Sequence, residues 1–221
     1  MTRRAKDMIK IGGASGYWGE SAMATPQLLA SGGLDYIVYD YLAEITMSIM
    51  ARMKMKDPVK GYATDFIDFV MKPFLPQIAA SGVKIIANAG GVNPQACGEA
   101  VRDLIKEKGL SLKVAVITGD DLLVDKNRIA AANPVDMFSG AAFPATDKIA
   151  SINAYLGAFP IAKALDAGAD IIITGRCVDS AVTLGACIHE FGWTVSDLDQ
   201  LASGSLAGHI LECGPQATGG N

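Results

Sequence analysis

Short apolar runs along the chain stop at glycine or an acid, and segments with a three- to four-residue apolar period follow them. The runs cover residues 8–11, 34–42, 83–91, 112–118 and 169–174. Each is short and rich in Ile and Val, as a strand buried on both faces must be. Helices are predicted over 26–30, over 43–56 with Leu42, Ile45, Ile49 and Met53 on one face, and over 63–81 with a bend or break at Pro73 and Pro76. A further helix starts at Pro94, with Asn93 as its cap, and stops at Gly109. A polar, proline-containing stretch spans 133–147, and a helix over 149–167 follows, bent or split at Pro160. Two more, over 180–191 and 198–213, close the chain.

Strands alternating with helices predict an α/β fold: an open, mainly parallel sheet of about five strands with helices on both faces. A closed eight-stranded barrel takes about 250 residues. Five runs in 221 residues are too few for one. Residues 1–221 read as a single domain.

Composition narrows the partners. Half the residues are hydrophobic and the net charge is −4, which excludes a mainly disordered chain. An isoelectric point near 5.2 argues against a nucleic-acid partner and against a basic membrane-surface helix. No apolar run approaches the length that spans a bilayer. The residues at the amino terminus, MTRRAKDMIKIGG, lack the apolar stretch of a signal peptide. Cys97, Cys177, Cys187 and Cys213 form no Cys-x-x-Cys pair, and reduced thiols in a cytoplasmic protein are the plain expectation. Cys213 could serve as a nucleophile, but an inert thiol is the commoner case.

Ligands of open parallel sheets bind beyond the carboxyl ends of the strands. The residues leaving the runs are therefore the candidates. They are Gly13, Ser15 and Gly16 in the first loop, then Asp40 and, one turn onward, Glu44. Asn88, Gly90 and Gly91 follow the third run, Asp120 the fourth, and Arg176 and Asp179 the fifth. Each alone could be a turn residue; together they predict a cleft. Arg176 suits a carboxylate or phosphate, and the plain alternative is a salt bridge to Asp179. His209 and Glu212 lie three apart on one helix face, as half of a metal site or as an acid–base pair. Spacing sets no third ligand, so no metal is assigned. His189, near a helix end, reads as a structural cation.

Gly13, Gly16 and Gly19 recur every third residue after a strand, and Asp40 ends the next one, as in a dinucleotide site. Asn88-Ala89-Gly90 is similar to a segment of the short-chain dehydrogenases. Against this, Phe159 stands four residues after Tyr155, where their catalytic pair needs lysine. An NAD(P)-dependent Rossmann oxidoreductase is therefore the second reading.

Longer segments carry a more specific likeness. They are IGGASGYWGES (11–21), LDYIVYDYLAEITMSIMAR (34–52), DPVKGYATDF (57–66), NAGGVNPQAC (88–97) and GDDL (119–122). NAYLGAFPIAKALDAGADIIITGRCVDSAVTLG (153–185), HEFGW (189–193) and LAGHILECGPQATGGN (206–221) complete the set. In them the chain resembles the N-terminal part of the acyclic terpene utilisation AtuA-like family. The resemblance implies catabolism of acyclic terpenoids or related branched acids as coenzyme A thioesters, beside biotin-dependent acyl-CoA carboxylases. It suggests a hydratase or lyase step and carries over no catalytic residue.

On that expectation Asp40 or Glu44 is the base, and Asn88 with the Gly90–Gly91 amides holds an oxyanion. Arg176 holds a substrate carboxylate, and the first glycine loop holds a coenzyme A phosphate. Family members continue past Gly219-Gly220-Asn221, so the expected architecture is the N-terminal part of a longer one. The expected partners are a small acyl-CoA, a second copy of the chain, or a separate C-terminal subunit. With such a subunit, the chain could itself be non-catalytic.

Overall fold

The computed structural model describes residues 7–20 and 22–219. The Gly220–Asn221 end lies outside them. Among the described residues, five strands form one parallel, open sheet in the order β1-β2-β3-β5-β4. They are β1 (Ile11–Ser15), β2 (Tyr36–Tyr39), β3 (Lys84–Gly91), β4 (Val114–Ile117) and β5 (Ile171–Gly175). The helices are α1 (Ala24–Ser31), α2 (Glu44–Lys56), α3 (Lys72–Ser81), α4 (Pro94–Glu107), α5 (Lys126–Ala131), α6 (Phe159–Asp166), α7 (Ala181–Phe191) and α8 (Leu198–Leu211).

The period of two along the central strands divides the core. Ile37, Tyr39, Ile85, Ala87, Ile171 and Ile173 point to one face, where residues of α1 to α4 cover them. Tyr36, Val38, Ile86 and Ile172 point to the other, under α6 and α7. Both layers of these strands are fully buried, which explains runs that are apolar throughout rather than alternating. On the second face the buried Tyr36 hydroxyl donates to Glu190 at 2.6 Å.

Three predicted elements differ. The first strand runs over Ile11–Ser15 rather than 8–11, because glycines at 12 and 13 let neighbours crowd it. A Cβ on Gly12 would lie 2.8 Å from Leu28. A π-turn at Phe66–Met71 leads into α3, placing the irregularity just before Pro73. The helix expected over 149–167 shrinks to α6, which opens with Pro160 in its first turn.

Residues 149–157 instead form a strap along the carboxyl edge. Leu122 N–H bonds Ile152, Ala154 N–H bonds Asp120, and Leu156 N–H bonds Arg176. Neighbouring strands β3 and β5 send the chain to opposite faces, into α4 and α7. That divergence opens a crevice at their carboxyl ends.

Candidate active site

Asp40 follows β2 directly, and its N–H bonds the Ser15 carbonyl at 2.9 Å. Its side chain is 2% exposed. Oδ1 accepts from Leu42 N–H at 3.0 Å and from the Asn88 amide at 2.6 Å. Asn88, fully buried on β3, accepts the Tyr41 N–H through Oδ1 at 2.8 Å. Both polar atoms of Asn88 thus hold the turn after β2, and Asn88 acts as a positioning residue for Asp40. Among the described residues, Asp40 Oδ2 has no hydrogen-bond partner. Burial pushes the Asp40 carboxyl up to about 6 against these hydrogen bonds, and the charges of Asp179 and Glu212 push the same way.

The end of β5 is clasped to the end of β4. Asp120 Oδ2 accepts the Arg176 N–H at 2.8 Å and the Asn153 amide at 2.9 Å. Gly175 has to lack a side chain here, since a Cβ would stand 2.5 Å from that oxygen. Burial raises the Asp120 carboxyl above its ordinary range.

The Arg176 guanidinium donates to Asp179 Oδ1 at 3.1 Å and to the Cys177 carbonyl at 3.2 Å. It lies 4.2 Å from the centre of the Tyr155 ring and 3.7 Å from Glu44 Oε1. The Tyr155 hydroxyl donates to that same Glu44 oxygen at 2.6 Å. The Tyr155 hydrogen bond holds the Glu44 carboxyl below its usual value, with the Arg176 charge adding to it. Glu44 opens α2, and its side chain is 81% exposed against 5% for Arg176. An incoming carboxylate can therefore replace Glu44 on an arginine that is already fixed.

The C-terminal segment reaches the same edge by close backbone approach. Gly208 lets α8 seat on the start of α7, since a Cβ there would lie 2.6 Å from the Ser180 carbonyl. The contact brings His209 and Glu212 to Asp179, with one ligand atom from each within 4.8 Å of the others. Cys213 Sγ donates to Glu212 Oε1 at 3.5 Å. Partial burial and the Glu212 charge push that thiol up, away from a thiolate nucleophile. His189 bonds Asp166 at 2.5 Å instead.

Chain fills the position where the first glycine loop was expected to hold a phosphate. A Cβ on Gly13 would meet the Leu211 carbonyl at 2.5 Å, and one on Gly16 the Cys213 carbonyl at 2.7 Å. Ser15 is buried and donates to the Tyr17 carbonyl. The strand order also puts β1 at the sheet edge, away from the β3–β5 crevice. Gly90 and Gly91 end β3 at that crevice, and Gly91 pairs with Gly175.

Beside them, a cavity of about 270 Å³ is lined by Lys54, Asn93, Pro94, Gly119, Asp120 and Asp121. Asn93 occupies the N-cap position of α4 but makes no side-chain bond to the helix; its amide donates to the Pro58 and Lys60 carbonyls. Lys54 Nζ donates to the Val92 carbonyl at 2.7 Å.

The likeness read from the sequence has a direct counterpart. A family model described as acyclic terpene utilisation family protein AtuA matches residues 9–221. The chain belongs to this family. No curated protein matches the chain. The AtuA match runs through β1 to β5 and through α8, so every side chain gathered at the carboxyl edge lies within it.

The structure brings together Asp40 with Asn88, Glu44 with Arg176 and Asp179, and Asp179 with His209. Tyr155 and Asn153 were not predicted as site residues, because the strap that carries them has no apolar period. Among the described residues, no helix is long and apolar enough to cross a membrane.

Proposed function

We propose that the chain acts in acyclic terpenoid or branched-acid breakdown as a hydratase or lyase on an acyl-CoA thioester. Family membership supports the pathway. The observation that carries the chemistry is Asp40, a buried carboxylate with one oxygen bonded and the other without a partner among the described residues. A base whose pKa lies near 6 is mostly ionised at neutral pH and still accepts a proton readily.

In the lyase direction, Asp40 Oδ2 takes the proton next to the thioester carbonyl. The C–H electron pair becomes the new C=C bond, the C–O bond breaks with its pair on oxygen, and the proton now on Asp40 passes to the departing β-hydroxyl, which leaves as water. Hydration is the reverse.

Arg176 binds a second carboxylate on the substrate in exchange for Glu44, with its guanidinium over the Tyr155 ring. The Lys54-lined cavity reaches the same clasp through Asp120 and gives room for part of the coenzyme A arm. Carboxylated branched acyl-CoA thioesters assayed with wild type, D40N and R176K test this. Turnover in the wild type that drops at least 100-fold in D40N, with a raised KM in R176K, is the expected result. Full turnover in D40N removes Asp40 as the base.

A further inference from the structure

Where α8 crosses the start of α7, three side chains from two separate stretches converge. Asp179, His209 and Glu212 each offer one ligand atom, all within 4.8 Å of one another. A single ion touching three ligand atoms needs that spacing. The crossing is built from backbone: Gly208 sits against Ser180, and Gly214 sits 2.8 Å or slightly more from the Ser15–Gly16 backbone, measured from where its Cβ would be. Arg176 holds Asp179 from behind through the 3.1 Å bond. Such an outer partner orients a ligating carboxylate.

A second observation points to the same place. Asp40 is 2% exposed, and its Oδ2 has no partner among the described residues. Its Oδ1 is held by Leu42 and Asn88. The charges it feels across the site are those of Asp179 and Glu212. Arg176 offsets the Asp179 charge from one side, and a cation held among Asp179, Glu212 and His209 would offset the negative charge that remains.

We propose that Asp179, His209 and Glu212 bind one divalent cation of the Mn²⁺ class. Two carboxylates match the charge of a dication. Two oxygens with one imidazole nitrogen suit Mn²⁺, and three protein ligands leave open positions for water or a substrate oxygen. The site is independent of whether Asp40 acts as a base.

Full-length protein freed of metal with EDTA, titrated with Mn²⁺ and followed by the free-ion electron paramagnetic resonance signal, tests it. The expected result is one ion per chain, with affinity lowered at least 10-fold in H209A and in E212Q. His209 is exposed, so H209A retains the fold; circular dichroism checks this. Saturating Mn²⁺ should raise the melting temperature of wild type and leave the H209A–E212Q double variant unchanged. No stoichiometric binding, or equal affinity in that double variant, overturns the site.

Discussion

The Asn88 side chain donates to Asp40 at 2.6 Å while receiving the Tyr41 N–H at 2.8 Å. One amide on β3 thereby fixes both the backbone after β2 and the acid it carries. It bonds one carboxylate oxygen, and among the described residues the other has no partner, which sets the oxygen on which Asp40 can accept a proton.

Replacing Asp40 by Asn should stabilise the metal-free protein above pH 6. The folded carboxyl titrates at about 6 against 3.8 for the free side chain. The folded state therefore holds its proton more tightly than the unfolded state. The benefit of that proton is complete below pH 3.8 and is lost as pH rises through 6. At neutral pH the buried charge costs up to about 3 kcal/mol, at 1.36 kcal/mol per unit. Urea unfolding at pH 7.5 should show D40N more stable by about 1–3 kcal/mol, and at pH 4 the two should nearly coincide. Equal stabilities at both pH values would contradict the burial argument.

Gly208→Ala should damage the C-terminal packing. The new methyl would stand 2.6 Å from the Ser180 carbonyl, which belongs to the turn into α7 and moves little. A loss of about 1–3 kcal/mol is expected, against less than about 0.5 kcal/mol for the exposed control Ala207→Ser. Denaturant midpoints with unchanged slope would measure both.

Tyr155 contributes two separable interactions. Y155F keeps the ring on Arg176 and removes the hydrogen bond to Glu44. The Glu44 carboxyl should then rise toward its ordinary value, with little change in melting temperature. Y155A also removes the stacking and should raise KM for a carboxylated substrate by a further factor of about 2–5, the range of an exposed cation–π contact. Steady-state kinetics of the two variants separate the contributions.

Native alkylation at pH 7.5 should fall on Cys213 and be slow. Burial pushes Cys97 up, the Cys177 thiol to about 12 and the Cys187 thiol to about 11. Cys213 is exposed but faces Glu212. E212Q should speed its reaction with iodoacetamide, as read by mass spectrometry. Faster labelling of Cys97 than of Cys213 would contradict the structure.

The sheet was readable because the central strands β2, β3 and β5 are buried on both faces and therefore largely apolar; the run Ile171-Ile172-Ile173 has no other simple use. The strand ends then placed Asp40, Asp120 and Arg176 at one edge, as parallel topology requires. The strap over 149–157 was missed because its order comes from bonds to Asp120, Leu122 and Arg176, which are distant in sequence. The first glycines looked like a phosphate loop because a glycine serves equally where a ligand or a neighbouring chain must come close. His209 and Glu212 were paired by helical spacing alone. Their meeting with Asp179 depends on Gly208 lying against Ser180, a tertiary contact with no local signature.

The account rests on Asp40 being a buried carboxyl tuned for proton transfer. Carbon-13 NMR of Asp-labelled, metal-free protein across pH 3–8, with D40N to assign the resonance, measures this directly. The account predicts one carboxyl titrating near pH 6 in the wild type and missing from D40N. An Asp40 resonance that titrates at or below the ordinary value of 3.8 would contradict it.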